Sequence, residues 1–277
     1  MAHSIVQFIN GLLVHLFDIL FWPFRHTEPI WSLIIISGLS GVLMLWIFGR
    51  VSQQHAIRNI RERIRGNILG VRLYQHDVRV VLKLQGTIMR DIFTYLTYAF
   101  LPTLVLMIPV IFILAQLNLR FALSPLSPGS SAVVKVTLQD RANIATPIHL
   151  EVPDGLVVET PGVHIRSQGE VAWRIRAVKP GQHVLNVNVD GHVTAKKVWV
   201  GEGWGAVTAL RTRSLITALL YPGEPLLSPT DGVASIEVQY PALTLTCFGW
   251  PMHWLVMFLV LSLLTGFACK RLLGVEV

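Results

Sequence analysis

Three runs without a single Asp, Glu, Lys or Arg constrain this chain more than any other feature: Trp31 to Phe48, Tyr95 to Leu117 and Trp250 to Ala268. A helix rises 1.5 Å per residue, so an apolar run of about 18 residues or more is long enough to cross the hydrocarbon core of a bilayer. Each run has aromatic residues near its ends, Trp31 and Trp46, Tyr95 and Tyr98, Trp250 and Trp254, as interfacial belts do. A hydrophobic fraction of 52% against 14% charged residues fits a chain that is part membrane helix and part globular domain. Three membrane spans are therefore expected, at residues 31–49, 95–117 and 250–269.

The segment between the first two runs is strongly basic. From Arg50 to Ile92, nine Lys/Arg face only Glu62, Asp77 and Asp91, a local +6 within a formal net charge of +7. A Lys/Arg excess in a short loop marks the cytoplasmic side. Residues 50–94 and the tail 270–277, with Lys270 and Arg271, are then inside, and the N-terminus and residues 118–249 are outside a plasma (inner) membrane. This bias accounts for the pI near 9.8 without a DNA partner.

Within the basic segment, Ile57, Ile60, Ile64 and Ile68 form one stripe, and Tyr74, Val78, Val81, Gln85, Ile88 and Ile92 recur at alternating spacings of 4 and 3. The pattern predicts two antiparallel helices, broken around Gly66, Asn67 and Gly70 and joined by a coiled-coil seam. Arg58, Arg61, Arg65, Arg72, Arg79 and Lys83 make its basic outer face, suited to ribosomal RNA, to anionic lipid or simply to solvent. Ahead of the first span, in residues 1–30, Gln7, Gly11, His15 and Asp18 make a polar stripe on an apolar helix capped by Ser4. It reads as an interfacial helix, turned into the membrane between Pro23 and Pro29.

Residues 118–200 read as an all-β domain. Alternation puts Val134, Val136 and Leu138 inward, then Ile148, Leu150 and Val152, then Val171, Trp173, Ile175 and Ala177, with Arg174 and Arg176 outward. Lys179-Pro180-Gly181 closes one connection, and Asp190-Gly191 supplies a two-residue hairpin turn. Short strands at this spacing suggest an immunoglobulin-like sandwich of about seven strands. Residues 201–249 are expected to hold an interfacial helix from Trp204 to Leu220, with Arg211 and Arg213 snorkelling, then a loop through Pro222, Gly223, Pro225, Pro229 and Gly232, and an edge strand before Pro241.

Residue types argue against an enzyme. There is no His-Glu-x-x-His, no Gly-x-Ser-x-Gly elbow and no phosphate-binding glycine loop with Lys. Cys247 and Cys269 fall at opposite ends of the third span, too far apart for a disulfide and without zinc spacing. His253, between Trp250 and Trp254, reads as interfacial packing, and His149, His164, His183 and His192 as surface residues. No cofactor or metal is expected.

The order of these parts resembles the YidC/Oxa/Alb insertase superfamily, over residues 4–117 and the last span, about half the chain. With three spans it is closer to the minimal archaeal and endoplasmic-reticulum relatives. FLPTLVLMIPVIFIL, from Phe100 to Leu114, is similar to the family's span after the hairpin, with Pro102 and Pro109. The resemblance implies an insertase or intramembrane chaperone whose partners are membrane lipids and nascent membrane-protein segments, with the ribosome or a translocon beside them. It also implies a groove. Bacterial members usually place an arginine in the first span, where this chain has Ser37, Gly38, Ser40 and Gly41, so Ser37, Ser40, Thr97, Thr103, Gln116, Ser262 and Thr265 are the candidate polar contacts. Each of these also fits close helix packing. A membrane-anchored scaffold acting through its β domain is the alternative.

Overall fold

The computed structural model describes residues 2–24, 27–52, 54–139, 148–228, 232–247 and 249–274, with residues 2 and 54 as backbone only. Residues 275–277 of the tail, and Pro229 of the proline-rich loop, lie outside these. The chain divides into two compact units, Met1–Ser32 with Phe112–Trp254, and Leu33–Ile111 with Leu255–Val277. Among the described residues four helices are long and apolar enough to cross a membrane, and a separate region is antiparallel β-sheet.

The first unit starts with α1 (Ala2–Phe21), which runs through Ser4 rather than being capped by it. α1 is apolar enough to count among the four. A 3-10 turn at Trp22–Phe24 follows, and α2 (Pro29–Val51) begins on Pro29, where a missing N–H does no harm. The β region holds β1 (Ser131–Leu138), β2 (Ile148–Glu151), β3 (Leu156–Val158), β4 (Val163–Ile165), β5 (Glu170–Ala177), β6 (Gly181–Val189) and β7 (His192–Val200). It continues with β8 (Leu210–Thr212) and β9 (Val233–Val238). One sheet has the order β3-β5-β1-β9-β8, with β4 also on β5, and the other is β2-β6-β7. Their inward residues, among them Val134, Val136, Trp173, Ile175, Val187 and Val198, form a single core. The alternation in β1 and β5 is as the sequence predicts, and Asp190 (φ 52°) with Gly191 (φ 82°) turns β6 into β7.

Residues beyond Val200 complete this region instead of lying apart from it. β9 is an inner strand between β1 and β8, not an edge. The expected helix from Trp204 shrinks to α5 (Leu215–Leu220), capped by Ser214. Arg211 does not snorkel, because its guanidinium donates to the carbonyls of Pro225 and Ala195. A short hairpin of β10 (Leu245–Cys247) and β11 (Trp250–Met252) replaces the start of the third apolar run. The last helix, α6 (Trp254–Leu273), therefore begins four residues late and carries Lys270 and Arg271, while His253 and Cys247 precede it. Both cysteines are free.

In the second unit, α3 (Gln54–Leu73) and α4 (Val78–Phe121) form the hairpin. α4 runs 44 residues through Pro102 and Pro109 without a break, joining hairpin arm and apolar run in one helix. The turn sits at residues 74–77, not at Gly66–Gly70. Asp77 fixes it, its Oδ1 accepting from the backbone N–H groups of Arg79 (3.0 Å) and Val80 (3.2 Å) as an N-cap. Gly70 lies within α3, and Leu84 packs into the space a side chain there would fill, 3.1 Å from an ideal Cβ.

The seam is also shifted. On α3, Ile57 and Ile60 are buried and Ile64 half-buried, but Ile68 is 54% exposed. On α4, Val81, Leu84 and Ile88 turn inward with buried Asp91, while Val78, Gln85 and Ile92 are exposed, as is Tyr74 in the turn. The 4-3 stripe in the sequence thus mixes two faces of α4. Both are apolar, and periodicity alone cannot tell which one meets α3.

Candidate functional site

The first unit holds the densest polar constellation. Arg120, 2% exposed, comes from the last turn of α4, and Asp18 from the polar stripe of α1. Arg120 Nη2 donates to Asp18 Oδ1 (2.5 Å) and to the Val14 carbonyl (3.3 Å), and Nη1 to Gln116 Oε1 (2.9 Å) and the Gln116 carbonyl (3.2 Å). The guanidinium also lies 5.2 Å and 5.8 Å from the ring centres of Phe21 and Phe17. Trp204 stacks on Phe121 at 5.4 Å and 13°, meets the edge of Phe21, and donates its indole N–H to the Thr27 carbonyl. Near its middle α1 is held by Asn10, whose Nδ2 donates to the Ala218 carbonyl of α5 at 2.8 Å.

A second buried pair stands nearby. Lys196 occupies an inward position of β7 and is fully buried, with Nζ donating to Glu224 Oε1 (2.5 Å) and the Thr208 carbonyl (2.6 Å). Thr208 donates to the same carboxylate oxygen at 2.7 Å. Burial pushes the Lys196 ammonium below the ordinary lysine value, and Glu224 pulls partly the other way. Between these pairs a cleft of ≈ 480 Å³ is lined by Gln7, Asn10, His15, Asp18 and Glu224 among others. Asn10 Oδ1 is buried without a partner. On the sheet surface, Glu159 accepts from Arg174 and Arg176, the two arginines the alternation turns outward. Glu159 is held below the usual carboxylate range first by a hydrogen bond from Ser131, then by Arg176.

The residues expected to line a polar groove fall in both units. Gln116 lies in the first unit, committed to Arg120. The others belong to the second unit, where Ser37 donates to the Leu33 carbonyl (2.6 Å), Thr97 to Phe93 (3.0 Å), Thr103 to Ala99 (2.8 Å), Ser262 to Leu259 (3.1 Å) and Thr265 to Leu261 (2.8 Å). Ser40 is buried. The hydroxyls of Ser37, Thr97, Thr103, Ser262 and Thr265 bond back onto their own helices.

What α2 and α6 share is close backbone approach. A Cβ on Gly41 would lie within 3.0 Å of Ser262 backbone atoms and of Thr265 Oγ1, and one on Gly38 would lie 3.6 Å from Thr265 Cγ2. Gly41→Leu should therefore force α2 and α6 apart at a cost of about 1–3 kcal/mol. Disulfide yield between cysteines placed at 38 and 265 should fall in that variant. Beside this contact lies an apolar cleft of ≈ 240 Å³, lined by Gly41, Met44 and Phe48 of α2, Leu106 of α4, and Ser262 and Leu263 of α6 among others.

On the hairpin, Arg58 pairs with Glu62 at 3.2 Å, Arg61 is half-buried, and Arg65, Arg72, Arg79 and Lys83 are exposed. The sequence pattern does not single out Asp91, which is buried in the seam with Arg63 at 3.9 Å. Among the described residues no group of three or more His, Cys, Asp or Glu could hold a metal ion.

No family model matches this chain, and no curated protein does. Two solved structures are similar over parts of it. Domains 4 and 5 of the S-layer protein SbsC share 20% identity over 29% of this chain and 48% of theirs, with a TM-score of 0.23. A longer SbsC structure, rSbsC(31-844), shares 14% identity over 47% of this chain and 22% of its own, with a TM-score of 0.24. Matches this partial carry no argument about fold or function.

Proposed function

We propose that this protein is a multi-pass plasma-membrane factor of the insertase type, a divergent member of the YidC/Oxa/Alb superfamily that helps apolar segments enter or fold in the bilayer. In this reading the hairpin and the tail are cytosolic. The N-terminus and the β region, an immunoglobulin-like sandwich, are outside, and α1 lies in the outer interface. The apolar cleft between α2, α4 and α6 carries the proposal, since it lies toward the ends of α2 and α6 that bear Arg50 and Lys270. Those basic ends face the cytosol under the positive-inside rule, where a client segment arrives. The cleft holds by apolar contact, and Ser262 is the polar member of the lining named above. Because Gln116 is committed to Arg120, Gln116→Leu would report on α1 docking and not on client contact.

A photocrosslinker at Met44 or Leu263 tests this, in vesicles whose orientation is checked by impermeant labelling of cysteines at 67 and 191. Crosslinks to a nascent apolar segment, absent from a probe at the outer residue Val157, are expected. Crosslinks to lipid alone would remove the proposal. A second reading, a membrane-anchored scaffold working through the β region, is favoured by the Gly41–Ser262 approach, which suits static packing.

A further inference from the structure

The hairpin carries a second heptad stripe besides the one facing α3. Val78, Leu82, Gln85, Met89 and Ile92 follow each other along α4 at spacings of 4, 3, 4 and 3, the repeat of a coiled-coil seam. All are exposed, Val78 at 68%, Leu82 at 62% and Met89 at 55%. Lipid does not account for this. At 1.5 Å per residue α4 is about 66 Å long against a hydrocarbon core of about 30 Å. Its uncharged part starts at Ile92, so the stretch bearing Arg79, Lys83, Arg90 and Asp91 projects into water. A row of large aliphatic side chains on a water-exposed arm marks an interaction surface.

The charge beside the stripe says what covers it. One edge is set by Arg79, Lys83 and Arg90 on α4 itself. Ala56, Asn59 and Arg63 of α3 line a cleft with Thr94 and Tyr98 of α4 on one side of the seam. The heptad positions of Arg61, Arg65 and Arg72 place them on the opposite side, beside the stripe. Both edges are basic and the floor is apolar. A second copy of the chain would set these cations against one another, and RNA offers nothing to the aliphatic row.

We propose that this stripe is the docking seam for an amphipathic helix of a partner protein, apolar along the face that meets Val78, Leu82, Met89 and Ile92 and acidic along both edges. The inference needs the hairpin to stand in water and does not depend on the insertase reading.

The probe is a synthetic heptad peptide with Leu and Ile at its core positions and Glu flanking them. It is titrated by fluorescence anisotropy onto the full-length protein in uncharged detergent, beside a peptide whose flanks are Lys. The Glu peptide should bind at least about tenfold more tightly than the Lys peptide and weaken with salt. Leu82→Glu and Met89→Ser, both at exposed positions, should each lose most of that binding with helical content unchanged. Equal binding of the two peptides, binding of neither, or full binding by both variants would overturn the proposal. So would a dimer that Leu82→Glu dissolves, which would make a second copy the occupant. Capture by phosphatidylglycerol vesicles that displaces the Glu peptide would assign the stripe to lipid and overturn it as well.

Discussion

Asp18→Ala should release α1 from the first unit, with a loss of about 3–5 kcal/mol in the stability of that contact. The reason is an asymmetry of burial. The Arg120 side chain is 3% exposed while that of Asp18 is 43% exposed, so removing the carboxylate leaves a largely buried cation without its counter-charge. Removing the cation leaves a carboxylate that can hydrate. Arg120→Met should consequently cost much less, since its volume is similar and Phe17 and Phe21 already form an apolar wall there. Amide exchange along α1 is the measurement: fast in Asp18→Ala, near the parent rate in Arg120→Met and in the double variant. If Arg120→Met were the worse single change, the pair would owe its strength to geometry around the guanidinium and not to charge burial.

Glu224→Ala should destabilise the β region by a similar amount, about 3–5 kcal/mol, because Lys196 is fully buried and has no other carboxylate partner among the described residues. Its remaining hydrogen bonds, to the carbonyls of Thr208 and Lys197 and to the Thr208 hydroxyl, satisfy protons without neutralising charge. The variant should also respond to pH with a definite sign. A lysine whose folded pKa lies below its ordinary 10.5 binds protons more weakly folded than unfolded. Stability therefore rises with pH between the lowered folded value and 10.5, and the rise should start at lower pH and be larger in total in Glu224→Ala, where the Glu224 carboxylate no longer pulls the pKa back up. Denaturant unfolding across that interval measures it, and Lys196→Met in the Glu224→Ala background should abolish the additional rise.

These two pairs show where reading the chain stops. That Lys196 shares the inward parity of Val198 and Val200 is visible in the strand, and so is Asp18 on the stripe of α1. The partners are not. Arg120 stands 102 residues from Asp18, and Glu224 stands 28 residues from Lys196 in a loop with no periodicity. Gln116 is the contrasting case: its amide needs a partner, as the sequence suggests, and the partner is an arginine one helical turn away on the same helix.

By itself the sequence determined three apolar runs and a helix ahead of them, a basic hairpin, and the inward sides of β1 and β5, because each is a periodicity or a charge count read over neighbouring residues. Only the tertiary structure decided which of two apolar faces of α4 meets α3, that β8 and β9 close the main sheet, and that Arg120 and Lys196 are buried with carboxylates from distant segments. A repeat of 3.5 or 2 residues states that a face is apolar, but what covers that face depends on contacts between segments far apart in the chain.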